Sequence, residues 1–130
     1  MKILVGYDGS NSAKDALALA TKHAAAFKAQ VIVVSSLTGG NVTHAVEVEH
    51  ATEDLENAKK FVDETGIACE TKLLVRGMTP GEDIVEYAKE QAVDEIVIGI
   101  KRRSKVGKLL FGSNAQYIII KAPCPVVTIK

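Results

Sequence analysis

Two hydrophobic rhythms alternate along this chain. Residues 2–7, KILVGY, form a short apolar run closed by Asp8-Gly9-Ser10, which predicts a buried strand ending in a turn. Ala13, Ala16, Leu17, Ala20, Ala24 and Phe27 then recur at helical spacing, with Asn11 or Ser12 placed to cap the helix. Its alanine-rich face suits close approach to a sheet. QVIVVSSL, residues 30–37, is apolar on both faces, as strands of a parallel sheet tend to be.

The same alternation continues to the end. After a loop at 38–41, Val48, Ala51, Leu55, Ala58 and Val62 form one stripe of a helix over about 43–65, with Gly66 as its C-cap. Glu53, Glu56, Lys59 and Lys60 fall mostly on the other side, a solvated face. Residues 68–77, ACETKLLVRG, alternate and then turn apolar, which predicts a third strand nearer an edge. Thr79 caps the next helix with Pro80 at its first position, where a missing N–H costs nothing; Glu82 and Asp83 suit the positive end of its dipole. EIVIGI (95–100) predicts a fourth strand, residues 113–121 a last helix stopped by Pro123 and Pro125, and residues 125–130 a fifth strand.

Strands alternating with helices in this way predict one α/β domain over residues 1–130, a parallel five-stranded sheet with helices on both faces. In such sheets ligands bind at the carboxyl ends of strands where the strand order reverses. Asp8-Gly9-Ser10 after the first strand and the 99–113 loop after the fourth both sit at such ends.

Composition narrows the ligand class. Sixteen Lys and Arg balance sixteen Asp and Glu, so general attraction to nucleic acid or to an anionic membrane is not expected. No apolar run approaches the roughly 20 residues that span a bilayer, and MKILVGYDGS lacks the pattern of a signal peptide; a cytoplasmic location is expected. Cys69 and Cys124 are far apart and read as structural thiols, and the scattered His23, His44 and His50 do not suggest zinc.

Against this neutral background, the 99–113 loop concentrates Lys101, Arg102, Arg103, Lys105 and Lys108 just before Gly112-Ser113 opens a helix. Backbone N–H groups at a helix N-terminus lack intrahelical partners and lie at the positive end of the dipole, so the loop is either a phosphate site or a basic surface loop. Gly99, Gly107 and Gly112 could take positive φ or admit close backbone approach. It is neither a Walker A loop nor a dinucleotide fingerprint. Asp8 could accept hydrogen bonds from ribose hydroxyls or an adenine amine, or satisfy its own turn. Ser10 and Ser12 have no activating base nearby, and no carboxylate pair, triad or metal cluster is visible, so binding is expected rather than turnover.

These residues carry a resemblance. ILVGYDGSNSAKDAL at the start and GSNAQYIIIKAPCPVVTIK at the end resemble the two ends of a small single-domain universal stress protein, and the likeness extends over essentially the whole chain. The resemblance implies a Rossmann-type fold of the adenine nucleotide alpha hydrolase-like kind. Nucleotide-binding members carry Gly-x-x-Gly-x(9)-Gly-Ser/Thr before the last helix. Here Gly99, the nine-residue spacing and Gly112-Ser113 match, but Arg102 stands at the second glycine. Arginine there either closes the site or replaces backbone contacts with a bidentate phosphate donor. With four more cations flanking it, the expectation is retained binding of ATP or AMP, with Mg2+ as an optional companion.

The resemblance further implies that Asp8 binds the adenosine part, that Ser35 and Ser36 border the adenine, and that Gly99, Gly112 and Ser113 hold phosphates with help from Arg102, Arg103 and Lys105. It implies a homodimer paired through the C-terminal strand 125–130, acting in stress response as a sensor or regulator. The alternatives are a dimeric interaction protein whose site Arg102 closes and a slow ATPase or phosphotransferase.

Overall fold

A computed structural model describes residues 1–39, 45–100 and 112–130. The elements run β1 (Lys2–Gly6), α1 (Asn11–Phe27), β2 (Gln30–Leu37), α2 (Ala45–Asp63), β3 (Cys69–Val75), α3 (Pro80–Glu90), β4 (Glu95–Gly99), α4 (Ser113–Lys121) and β5 (Val126–Ile129). This is the predicted order. Every sheet pairing is parallel, and the strand order is β3-β2-β1-β4-β5. β3 and β5 are therefore the edges.

The unbroken apolar runs have a simple cause: each central strand is covered on both faces. Successive side chains of a strand point to opposite sides. Ile3, Val5, Val31, Val33 and Val97 pack with α1 and α2, whereas Leu4, Ile32, Val34, Ile96 and Ile98 pack with α3 and α4. Ala13, Ala16, Ala20 and Ala24 are the buried stripe of α1, and their small side chains let the helix backbone lie close to the sheet. No helix among the described residues is long and apolar enough to cross a membrane.

Several local expectations shift. Ser10, not Asn11 or Ser12, is the N-cap of α1: its hydroxyl accepts from the Ala13 N–H at 3.2 Å. The α2 stripe is as expected, but the helix ends at Asp63 and the chain turns through Gly66 at φ +82°. Thr79 caps α3 with Pro80 in the first turn, as the sequence predicts. Asp83 lies in the first turn of α3, as expected, and has no solvent exposure.

The order reverses between β1 and β4, which pair side by side with Val5 opposite Val97. Their carboxyl ends therefore diverge into chain segments that leave in different directions, and this divergence opens a crevice at the top of the sheet.

Candidate functional site

A cleft of about 360 Å3 occupies that crevice, a size within the range of small-molecule sites. Its floor is the ends of β1 and β4, from Gly6 to Asp8 and from Ile98 to Ile100. One wall is Val34 and Ser36 of β2 with Pro80 and Ile84 of α3, and the other is the start of α4 from Gly112. Asp8, Gly99, Gly112 and Ser113, read from the strand ends and the helix start, and Ser36, implied by the resemblance, thus line one cavity. Arg102, Arg103 and Lys105 fall outside the described residues.

The start of α4 differs from the other helix starts for which capping is described. In α1 the first turn is capped by Ser10, and in α3 Thr79 accepts from the Glu82 N–H, with the Gly81 N–H donating to Asn114 Oδ1 at 2.9 Å. The N-cap of α4 is Gly112, and no side chain caps it. Its first turn and the positive end of its dipole lie at the cleft with no capping side chain on Gly112, an arrangement suited to an anion.

Asp8 sits at the end of β1, where one carboxylate oxygen accepts from the Ser10 N–H at 3.0 Å. The turn bond suggested by the sequence is thus present, and the residue still lines the cleft. Beside it, the Tyr7 phenol is pushed above its ordinary pKa by burial and then by the negative charges of Asp54 and Asp8.

Of the two roles expected for the glycines, close backbone approach is present at Gly99. Neither Gly99 nor Gly112 takes a positive φ. Gly99 is needed because the first turn of α1 crosses its Cα: a side chain there would run into the carbonyl of Ser12. The close approach is real, but the neighbour is the protein's own backbone. Among the described residues, a Cβ at Gly112 would meet nothing within 4 Å.

The two serines of β2 separate. Ser35 is buried, its hydroxyl donates to the Tyr7 carbonyl at 2.7 Å, and it does not line the cleft. It shares the parity of Val31 and Val33 and so points to the α1/α2 face. Ser36 has the opposite parity and points into the cleft, where its hydroxyl donates to Asp83 Oδ2 at 2.7 Å.

Sequence reasoning missed the apolar wall of Pro80, Ile84 and Ile98 and the carboxylate of Asp83 behind it. Pro80 and Ile84 look like ordinary parts of an amphipathic helix start. For Asp83 the one available signal is Arg76 seven positions earlier, a charge at the end of a strand with no declared partner.

Comparisons with known proteins agree with this geometry. The model of the "Universal stress protein family" matches residues 1–130. A universal stress protein of Thermus aquaticus, from the QAH/OAS sulfhydrylase 3'region, is 35% identical over 98% of this chain and 97% of its own length. Two solved structures from Archaeoglobus fulgidus superpose over the full chain and 98% of their own. A universal stress protein has 42% identity and a TM-score of 0.92. Another, determined in complex with dAMP, has 38% identity and a TM-score of 0.88. With its five-stranded parallel sheet and four helices, this chain belongs to the universal stress protein family.

Proposed function

We propose that this protein binds an adenine nucleotide, AMP or ATP, in the cleft above β1 and β4 and acts in stress response as a sensor or regulator. The observation that carries the reading is the start of α4. Its first turn is capped by a glycine that lacks a capping side chain, and it opens into the same cavity as Asp8 and Ser36. Phosphate belongs at that helix end. The ribose belongs near Asp8, whose carboxylate accepts from hydroxyls, and the base belongs against the apolar wall of Val34, Pro80 and Ile84. A relative of 38% identity holds dAMP, which supports the same ligand class here.

Isothermal titration with ATP, AMP and cyclic AMP, with and without Mg2+, tests this. Saturable binding weakened by Asp8→Ala and Ser113→Ala is expected; no heat from any of the three overturns the reading. Arg102→Gly separates the two roles of that side chain: affinity falls if Arg102 is a phosphate ligand and rises if it obstructs.

A homodimer through the last strand is the second part of the reading. Among the described residues β5 pairs only with β4, so its outer edge is a strand-pairing template, and Ile119 and Ile120 of α4 are exposed large apolar residues.

A further inference from the structure

Asp83 is a carboxylate with no solvent exposure, in the first turn of α3. A charge at that depth needs partners, and each oxygen has one. Oδ1 accepts from Arg76 Nε at 2.6 Å, and Oδ2 accepts from the Ser36 hydroxyl at 2.7 Å. Arg76 is held in turn by both oxygens of Glu90, at 2.9 and 3.0 Å. The arrangement runs from the surface of α3, through a buried acid, to a side chain that lines the cleft.

This network decides what Ser36 can offer a ligand. A hydroxyl has one hydrogen and two lone pairs. Arg76 keeps Asp83 in the role of acceptor, so the hydrogen of Ser36 is committed to Oδ2. Toward the cleft the oxygen presents lone pairs only. The walls around it, Val34, Ile84 and Pro80, are apolar, so this polarity is the hydrogen-bonding character of that wall. Ser36 and the start of α4 line the same cavity, so a nucleotide with its phosphate at that helix end has Ser36 within the cleft that holds its base.

Resting on the nucleotide reading above, we propose that Ser36, positioned by Asp83 and Arg76, selects purines bearing a 6-amino group over those bearing a 6-oxo group. An exocyclic amine donates to the Ser36 oxygen. A 6-oxo oxygen would face a lone pair with a lone pair, leaving two desolvated acceptors unpaired, and sites built around one polar partner reject analogues that lack it.

The test is titration of the full chain with AMP and IMP, which differ at the 6 position and in the proton on N1. The wild-type protein should bind AMP at least about tenfold more tightly than IMP, the scale of one lost hydrogen bond to a buried group. Ser36→Ala should bring the two affinities close together, and Ser36→Thr, which keeps the hydroxyl, should retain the preference. Asp83→Asn makes the sharper prediction. Arg76 Nε requires an acceptor, so the new amide turns its oxygen to Arg76 and its NH2 to Ser36. The serine hydrogen is then released toward the cleft, and the preference should shift to IMP. A purely structural role for Asp83 would lower stability without moving this ratio. The ratio of AMP to dAMP affinity should be unchanged in Ser36→Ala, since the contact is to the base.

Equal wild-type affinity for AMP and IMP overturns the proposal while leaving the nucleotide reading intact, and so does a Ser36→Ala protein that keeps the wild-type ratio. Binding of neither ligand overturns both. If Asp83→Asn does not fold, the comparison of Ser36→Ala with Ser36→Thr decides alone.

Discussion

The backbone of Ser12 fills the space that a side chain at Gly99 would need. A Cβ on Gly99 would press on the Ser12 carbonyl and lie within 2.8 Å of the Ser12 Cβ. The end of β4 and the first turn of α1 are thus in direct backbone contact at the floor of the cleft, and Gly99 is a packing requirement before it is anything else.

Two glycines of one loop motif should therefore behave differently. Gly99→Ala overpacks a backbone contact and should cost about 1–3 kcal/mol, lowering the melting temperature and weakening AMP because the α1 turn that it displaces lines the cleft. Gly112→Ala meets no neighbour among the described residues and has φ −65°, a backbone that alanine accepts. Its stability should fall by no more than about 1 kcal/mol, the scale of a weakened N-cap, while the added methyl beside the α4 N-terminus weakens AMP. Thermal melts with parallel titrations check both; equal stability losses in the two variants would refute the distinction.

Removing Arg76 leaves the buried carboxylate of Asp83 without its cation. The guanidinium is about a third exposed, 29%, so water offsets part of the loss, and Arg76→Met should cost about 3 kcal/mol, the lower end for breaking a buried pair. Adding Asp83→Leu removes the orphaned charge and should recover most of that loss. Urea denaturation of the single and double variants measures it; no recovery in the double variant would mean that the pair is not the source of the loss.

The Cys69 thiol is pushed up to about 11 by burial, with Lys59 pulling the other way and Asp63 and Glu70 adding to the rise. Burial also raises Cys124, helped by Asp94 and Glu95. In the native protein, alkylation of Cys69 should therefore stay slow at pH 8 and accelerate only as pH approaches 11, whereas the unfolded chain reacts near the ordinary thiol value of about 8.5. Because the folded pKa is the higher one, the contribution of Cys69 to stability is complete below the unfolded value and is lost as pH rises through the folded value. Fast labelling of native Cys69 at pH 8 would contradict this.

The open edge of β5 can be blocked without touching the sheet. The carbonyls of Pro125 and Ile129 accept from β4, at 3.0 Å from the Ile96 N–H and 2.7 Å from the Ile100 N–H. In a parallel strand the N–H and C=O of one residue point to the same side, so Thr128 directs its backbone groups outward. Thr128→Pro removes an outward donor and should convert a dimer to a monomer in sedimentation analysis while keeping the melting profile of the isolated subunit. A dimer that survives this change would rule out pairing through β5.

Most of the architecture was legible because it depends on local signals. The apolar runs, the alanine stripe of α1, the Thr79-Pro80 start of α3 and the Pro123 and Pro125 stop after α4 each act within a few residues. The candidate site was half legible. Asp8, Gly112 and Ser113 stand out because turn and cap residues follow strands or open helices. Ser35 and Ser36 could not be told apart from the chemistry of two adjacent serines, because their difference is the face of the sheet each occupies.

By itself, then, the sequence determined the order of elements, the two-faced burial of the sheet and the position of the Gly112-Ser113 helix start, since periodicity and capping act between near neighbours. Only the tertiary structure decided which residues meet at the reversal between β1 and β4. It brought Gly99, at the floor of the cleft, against the backbone of Ser12, and it made Asp83 a buried partner of Ser36 and Arg76. The physical reason is the same in each case. Burial and hydrogen-bond polarity depend on what another segment brings alongside, and no local pattern around Gly99 or Asp83 records the approach of α1 or of β2.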